Sequence, residues 1–237
     1  HLSVFIETLR REGYELQVGK PQVITRDING VLSEPLEELT IDVAADYVGA
    51  VTSEVGRRKG VLLHQNENGD GTTRLEFEIT TRGMLGLRNT LLTLSRGTAV
   101  ANSLFLRWEP MGQPIPKLRN GVLIASETGK SVTYGLENAQ ERGITFILAQ
   151  TPVYQGMIIG LNVREDDMEI NVCKERKLTN VRSNAEISAV LTPPTNLSLE
   201  QSLDFLEDDE VLEVTPKNIR LRKKILDATL RARARKG

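Results

Sequence analysis

Between Leu39 and Trp108 the apolar period changes in one fixed order, and that order leaves few folds open. Leu39, Ile41 and Val43 alternate with polar residues, as a strand does. Asp46 is placed to cap a helix carrying Tyr47, Val48, Val51 and Val55, and Gly60 lies just past its end. Val61 to His64 reads as a second strand, followed by an Asn-, Asp- and Gly-rich turn from Asn66 to Gly71. Leu75, Phe77 and Ile79 alternate with Glu76 and Glu78, so one face of this third strand is wet. Leu85 to Leu94 is a second helix and Val100 to Trp108 a fourth strand. Strand, helix, strand, strand, helix, strand is the ferredoxin-like split arrangement. That fold hosts many functions and decides none.

On the N-terminal side, Leu2, Phe5, Ile6 and Leu9 mark one helix face that Gly13 stops. Tyr14 to Ile24 alternates as a strand, with Pro21 pushing it toward a sheet edge. One helix and one strand make half of a small α/β unit, whose remainder is expected upstream. The chain opens on His1 inside this pattern and is expected to be a piece of a longer protein.

On the C-terminal side, Gly112, Pro114 and Pro116 interrupt all periodicity. Short apolar runs then follow at Val122–Ser126, Ile144–Leu148, Met157–Val163, Met168–Val172 and Ala189–Leu191. Val132 to Leu136 is as strand-like as it is helical. Ser198 and Gln201 form a capping box ahead of Leu203 and Leu206. Val211–Val214 is a further strand, and Thr215-Pro216 offers a cap and first position for a last turn or helix. The expected architecture is α+β. It comprises the remnant of an α/β domain in residues 1–30, a ferredoxin-like domain in 31–112 and a β-rich domain in 113–237.

Composition narrows the class. With 39% hydrophobic and 26% charged residues the chain reads as soluble and globular, and with 4% aromatics its core must rest on Leu, Val and Ile. No apolar run approaches a membrane span, and nothing resembles a signal peptide. The single Cys173 rules out an internal disulfide and fits a reducing compartment, so the cytoplasm is expected. The net charge of −2 hides an asymmetry: Glu200 to Glu213 holds seven acids and no base, and Lys217 to Gly237 nine bases and one acid. A basic end on an acidic body suits docking on a polyanion, with Arg220, Arg222, Lys223 and Lys224 as candidate contacts. A frayed tail kept soluble by its charges fits the same composition.

A second basic feature lies within the β-rich part. Lys174 to Asn184 carries four cations and one carboxylate, with no apolar period and no aromatic. Such a segment has little to bury, so it should project as a loop of guanidinium, ammonium and amide donors. It reads either as a solvated hairpin loop or as a surface for phosphate oxygens and unpaired base edges. A third set, Arg57, Arg58 and Lys59, crowds one helix C-terminus, where the macrodipole alone favours cations and RNA contact is the other reading. Arg82, Arg88 and Arg96 flank the second helix, where they meet RNA or pair with local acids.

Enzymatic signals fail on spacing. Gly129-Lys130-Ser131 resembles the end of a phosphate-binding loop, but Ile124 stands where that motif needs a glycine. Glu165, Asp166, Asp167 and Glu169 lack the glycine and spacing of a calcium loop and read as an acidic hairpin turn. His1 and His64 are the only histidines, and neither has a Cys or second His at ligand spacing. No catalytic residue and no metal ligand is assigned.

Several motifs resemble known translation factors. His1-Leu2 through Ile6, Leu9-Arg10-Arg11-Glu12 and Val18 to Ile24 are similar to the end of the third domain of elongation-factor-G-like GTPases. Glu34-Pro35, Tyr47-Val48-Gly49 and Gly56 to Val61 resemble the opening of their fifth domain. The fourth domain, which would lie between, has no room, and that points to a family that skips it. Thr81 to Arg88, Ser95 to Thr98, Gln140 to Gly143, Val153 to Gly160, Lys177 to Ser183 and Leu199-Glu200-Gln201 resemble the BipA/TypA family. The resemblance covers essentially the whole chain and departs from the family at Glu175 and Ser183-Asn184-Ala185.

The resemblance implies the C-terminal half of a ribosome-binding translational GTPase of stress or cold adaptation and large-subunit assembly. GTP and Mg would then belong to a G domain outside this chain. It also implies that Lys174, Arg176, Lys177, Asn180, Arg182 and Ser183 reach toward the peptidyl-transferase centre and A-site tRNA. Arg57, Arg58, Lys59, Arg82 and Arg88 would face rRNA. The expected partner is the ribosome and the expected state a monomer. The alternative is a β-rich protein-interaction module without RNA contact, whose acidic stretch and basic end bind each other or another protein.

Overall fold

A computed structural model describes residues 2–175 and 191–234. In chain order the elements are α1 (Leu2–Arg11), β1 (Leu16–Gly19), β2 (Arg26–Ile28), β3 (Val31–Ala44), α2 (Val48–Arg57), β4 (Val61–Glu67) and β5 (Thr72–Thr80). Next come a short α3 (Thr81–Met84), α4 (Leu87–Leu94) and β6 (Val100–Pro110). The remainder begins with β7 (Val122–Ala125), β8 (Gly129–Lys130), α5 (Thr133–Gln140), β9 (Gly143–Thr145), β10 (Pro152–Val153), β11 (Ile158–Asn162) and β12 (Met168–Ile170). It ends with α6 (Leu199–Phe205), β13 (Glu210–Val214), β14 (Ile219–Lys223) and α7 (Ala228–Ala234). These form two units, one of residues 21–117 and one of residues 1–20 with the chain from 118 onward.

In the first unit β6, β3, β5 and β4 pair antiparallel in that order, and β2 folds back on the start of β3. This is the ferredoxin-like order. Leu39 lies opposite Phe77 and Ile41 opposite Leu75, so both central strands turn their alternate apolar residues to one face. Val51 and Val55 of α2 and Leu87 and Leu91 of α4 cover that face, and all these residues are buried. Two local details differ from expectation. Asp46 caps nothing: α2 starts after Tyr47, without a side-chain cap bond, from a tight turn over Ala45–Tyr47. The second helix begins only at Leu87, because the Thr80 hydroxyl caps α3 and Gly86, at φ 69°, breaks the path between them.

The second unit has a four-stranded sheet ordered β12-β7-β11-β9 and a three-stranded sheet ordered β1-β13-β14. All four residues of β7 are buried because both faces of its sheet are covered. Val122 and Ile124 pack with Ile158, Leu212 and Leu221, whereas Leu123 and Ala125 pack with Leu136, Ala139, Ile159 and Val172. The opening helix contributes only Ile6 to a buried cluster, and Phe5 is 61% exposed. Its strand is shorter than the Tyr14–Ile24 run and pairs with β13. The ambiguous Val132–Leu136 stretch enters α5. The capping box forms as expected, with the Ser198 hydroxyl accepting from the Gln201 amide. Thr215 makes a hairpin turn: its amide donates to Asn218 O at 2.8 Å and its hydroxyl accepts from Asn218 N at 3.0 Å. Among the described residues no helix is long and apolar enough to cross a membrane.

Candidate nucleic-acid interface

The described chain on either side of the donor-rich segment is fixed on one helix, α5. Its first stem is tied where Val132 N donates to Val172 O at 2.9 Å and Cys173 N to Asn171 Oδ1 at 3.0 Å. Val172 lies so close to α5 that a Cβ on Gly135 would stand 2.3 Å from its carbonyl oxygen, so only glycine fits there. The returning stem brings Leu191 against the α5 core. There the Gln140 amide grips Thr192 from both sides: Nε2 donates to Thr192 O at 2.7 Å, and Thr192 N donates to Oε1 at 2.9 Å. Gly135 and Gln140 are about 8 Å apart along the helix axis at 1.5 Å per residue. Lys174 is exposed and makes no ion pair among the described residues. Arg176, Lys177, Asn180, Arg182 and Ser183 lie outside the described residues. In the sequence Gln140 stands out only within the Gln140–Gly143 motif; its grip on Thr192, 52 positions away, has no local signal.

The helix-end cations divide. Arg58 is 3% exposed and cannot reach RNA. Its guanidinium donates to Glu54 Oε1 (2.8 Å), to the carbonyls of Gly83 (3.2 Å) and Leu85 (2.6 Å), and to the Thr90 hydroxyl (3.2 Å). It is a tie between α2 and the start of α4, so its expected RNA role is corrected. Arg82 is likewise spent, with a two-point contact at 3.0 and 2.8 Å on the buried Glu34 and further bonds to the Gly112 and Gln113 carbonyls. Arg57 keeps half its side chain exposed although it touches Glu54 at 2.9 Å. Lys59, Arg88 and Arg96 are exposed.

Among the described residues, part of the basic end is built into the fold. Lys223 is 1% exposed, and its ammonium meets Asp167 (2.8 Å), Glu210 (2.8 Å) and Asp209 (3.0 Å). Three donors thus find three carboxylates. Burial alone would lower its pKa, but Glu210 and Asp167 outweigh burial and hold it above the ordinary lysine value. Arg222 donates to Glu213 at 2.6 Å, and Glu213 also accepts from the Tyr154 hydroxyl at 2.6 Å. Burial and that carboxylate push the Tyr154 pKa up. Arg119 pairs with Glu210, and Arg231 with Glu169. Lys223 and Arg222 are therefore corrected from candidate RNA contacts to internal partners of the acidic stretch. Arg220 is partly buried opposite Glu213, and Lys224 is exposed with its ammonium 2.5 Å from Asp208 O.

The other weighed motifs are structural. Ser131 is fully buried, donating to Leu148 O at 2.8 Å and accepting from Thr151 N at 3.1 Å, so Gly129-Lys130-Ser131 ends a strand and cradles no phosphate. Among the described residues no group of three or more His, Cys, Asp or Glu is arranged to hold a metal ion.

The first unit is thus ferredoxin-like and the second β-rich, and each bears exposed cations. Residues 31–118 match the elongation factor G C-terminus, and residues 120–228 match the TypA/BipA C-terminal domain. The chain belongs to the TypA/BipA family and carries its C-terminal part. It is 44% identical over its full length to the "Large ribosomal subunit assembly factor BipA" of Bacillus subtilis. It is 45% identical over 99% of its length to the Haemophilus influenzae protein of that name, and 44% over 94% to the one from Synechocystis. The chain spans 39%, 38% and 38% of these three relatives.

Proposed function

We propose that this chain is the ribosome-docking portion of a BipA/TypA-type translational GTPase that acts in the cytoplasm in large-subunit assembly and in stress or cold adaptation. Its targets would be large-subunit rRNA and A-site tRNA, and it would act as a monomer. The observation that carries the reading is that the chain is bonded to the two ends of α5 on either side of the Lys174–Asn184 stretch, at Val172 and at Thr192. A donor-rich stretch between two such fixed points would suit backbone and shape recognition of RNA. Without base-stacking aromatics, its contacts would go to phosphate and sugar more than to base identity. Arg57, Lys59 and Arg88 supply a second set of exposed cations on the ferredoxin-like unit. GTP binding and hydrolysis would belong to a G domain, and no residue of this chain is assigned to GTP or Mg.

The protein-interaction alternative drew on the acidic stretch and the basic end. Part of that charge is spent internally, through Glu213 with Arg222 and through Asp209 and Glu210 with Lys223. Co-sedimentation of the chain with 70S ribosomes and isolated subunits across a salt series tests the proposal. RNA docking predicts pelleting with the large subunit that falls steeply with log salt. No pelleting at low salt would refute it.

A further inference from the structure

Both helices over the central sheet end in the same unusual way. At the end of α2, Gly60 N donates to Val55 O and Lys59 N to Gly56 O, both at 2.9 Å. At the end of α4, Gly97 N donates to Leu92 O at 2.6 Å and Arg96 N to Thr93 O at 3.3 Å. This pair of bonds is the Schellman cap, whose left-handed position usually belongs to glycine. Here that position holds Lys59 at φ 66° and Arg96 at φ 52°, and in each case the glycine comes one residue later. A side chain in this region is strained because its Cβ crowds the following carbonyl. Apart from Asn29 and Gln150, every other described residue with such a φ is a glycine.

Neither cation recovers that strain inside the molecule. Both are exposed, and neither side chain makes a hydrogen bond or ion pair among the described residues. Strand β3 is antiparallel to β5, so the helices that follow them are antiparallel as well, and their C-termini stand at opposite ends of the helical layer. Buried Arg58 fixes the Lys59 end by tying α2 to the carbonyls before α4. The layer carries Arg57, Lys59, Arg88 and Arg96 against Asp46 and the Glu54 that is already paired. On the open sheet face stand Glu38, Asp42, Glu76 and Glu78, with Arg74 closed on Asp42 and Arg107 on Glu78. RNA would be repelled from the sheet and attracted to the helices.

We infer that Lys59 and Arg96 are kept in the left-handed conformation as contacts for RNA phosphates, one at each end of the helical layer. The inference rests on the ribosome-docking reading and adds the residues and the face to it. The test is Lys59→Gly and Arg96→Gly, singly and together, in the whole chain. Each should melt at or above the wild-type temperature, because glycine relieves the strain. Each should also bind ribosomes more weakly, with the slope of log affinity against log salt smaller by about 0.7 per residue. The exchanges Lys59→Arg and Arg96→Lys should keep the slope, and Glu38→Gln should leave it unchanged. A double glycine variant that binds as wild type at every salt concentration overturns the inference and leaves the docking reading standing. Glycine variants less stable than wild type also overturn it, since the cations would then serve the fold. If the wild-type chain itself does not bind ribosomes, both readings fall.

Discussion

The Nζ of Lys223 lies 2.8 Å from Oε1 of Glu210, with the lysine 1% and the glutamate 0% exposed. An ammonium and a carboxylate thus face each other in the interior between β13 and β14, and Asp167 brings the β12 side into the same cluster. Removing one partner of such a cluster leaves the others charged and buried, which costs more than the pair itself is worth. Lys223→Met should therefore destabilise the chain by about 3 kcal/mol in urea unfolding, and adding Asp167→Asn should recover part of that loss. A loss below about 0.5 kcal/mol would place Lys223 at the surface.

Alkaline pH probes the same region. Lys223 and Tyr154 both hold their protons more tightly in the folded chain than in the unfolded one. Their stabilisation is therefore fully present below the unfolded values, about pH 10, and is lost as pH rises through the folded values. Between pH 10 and 12 the melting temperature of the wild-type chain should fall more steeply than that of a Lys223→Met, Tyr154→Phe variant. Parallel curves would count against this coupling.

Phe77 tests the core of the ferredoxin-like unit. It is 1% exposed and packs among Leu39, Val51, Val55 and Leu91. Phe77→Ala should cost about 3–5 kcal/mol, read by chemical denaturation. A cost under about 1 kcal/mol would mean that the α2 and α4 layer is not seated on that strand face.

How far these features were legible in the sequence depends on whether their cause is local. Leu75, Phe77 and Ile79 announce their strand and its core face because a period of two is written in neighbouring residues. The Ser198–Gln201 box is equally local, and it forms. What the sequence hid is pairing at long range. Nothing near Lys223 shows that Asp167, 56 positions away, will take its ammonium. A run of bases therefore read as a tail, although it includes a strand and a buried lysine. Arg58 and Lys59 look equivalent as neighbours, yet one helical step turns the first inward to Glu54 and leaves the second in solvent.

Gln140 separates anchoring from folding. Gln140→Ala removes the two bonds that hold Thr192, a net cost of about 1–3 kcal/mol. The stem that returns from the donor-rich segment is then released, so ribosome affinity should fall several-fold although no cation is touched. Circular dichroism should show the fold retained. Unchanged affinity in sedimentation would mean that anchoring on α5 does not matter for docking.

The most direct test changes Lys174, Arg176, Lys177 and Arg182 together to Ala and measures ribosome co-sedimentation over a range of salt concentrations. If each meets an RNA phosphate, affinity drops and the slope of log affinity against log salt shrinks by roughly 3, at about 0.7 per phosphate. Thermal stability should move little, as exposed positions typically contribute within about ±0.5 kcal/mol. A quadruple variant that pellets with ribosomes as wild type at every salt concentration would contradict the claim that this segment docks the chain on RNA.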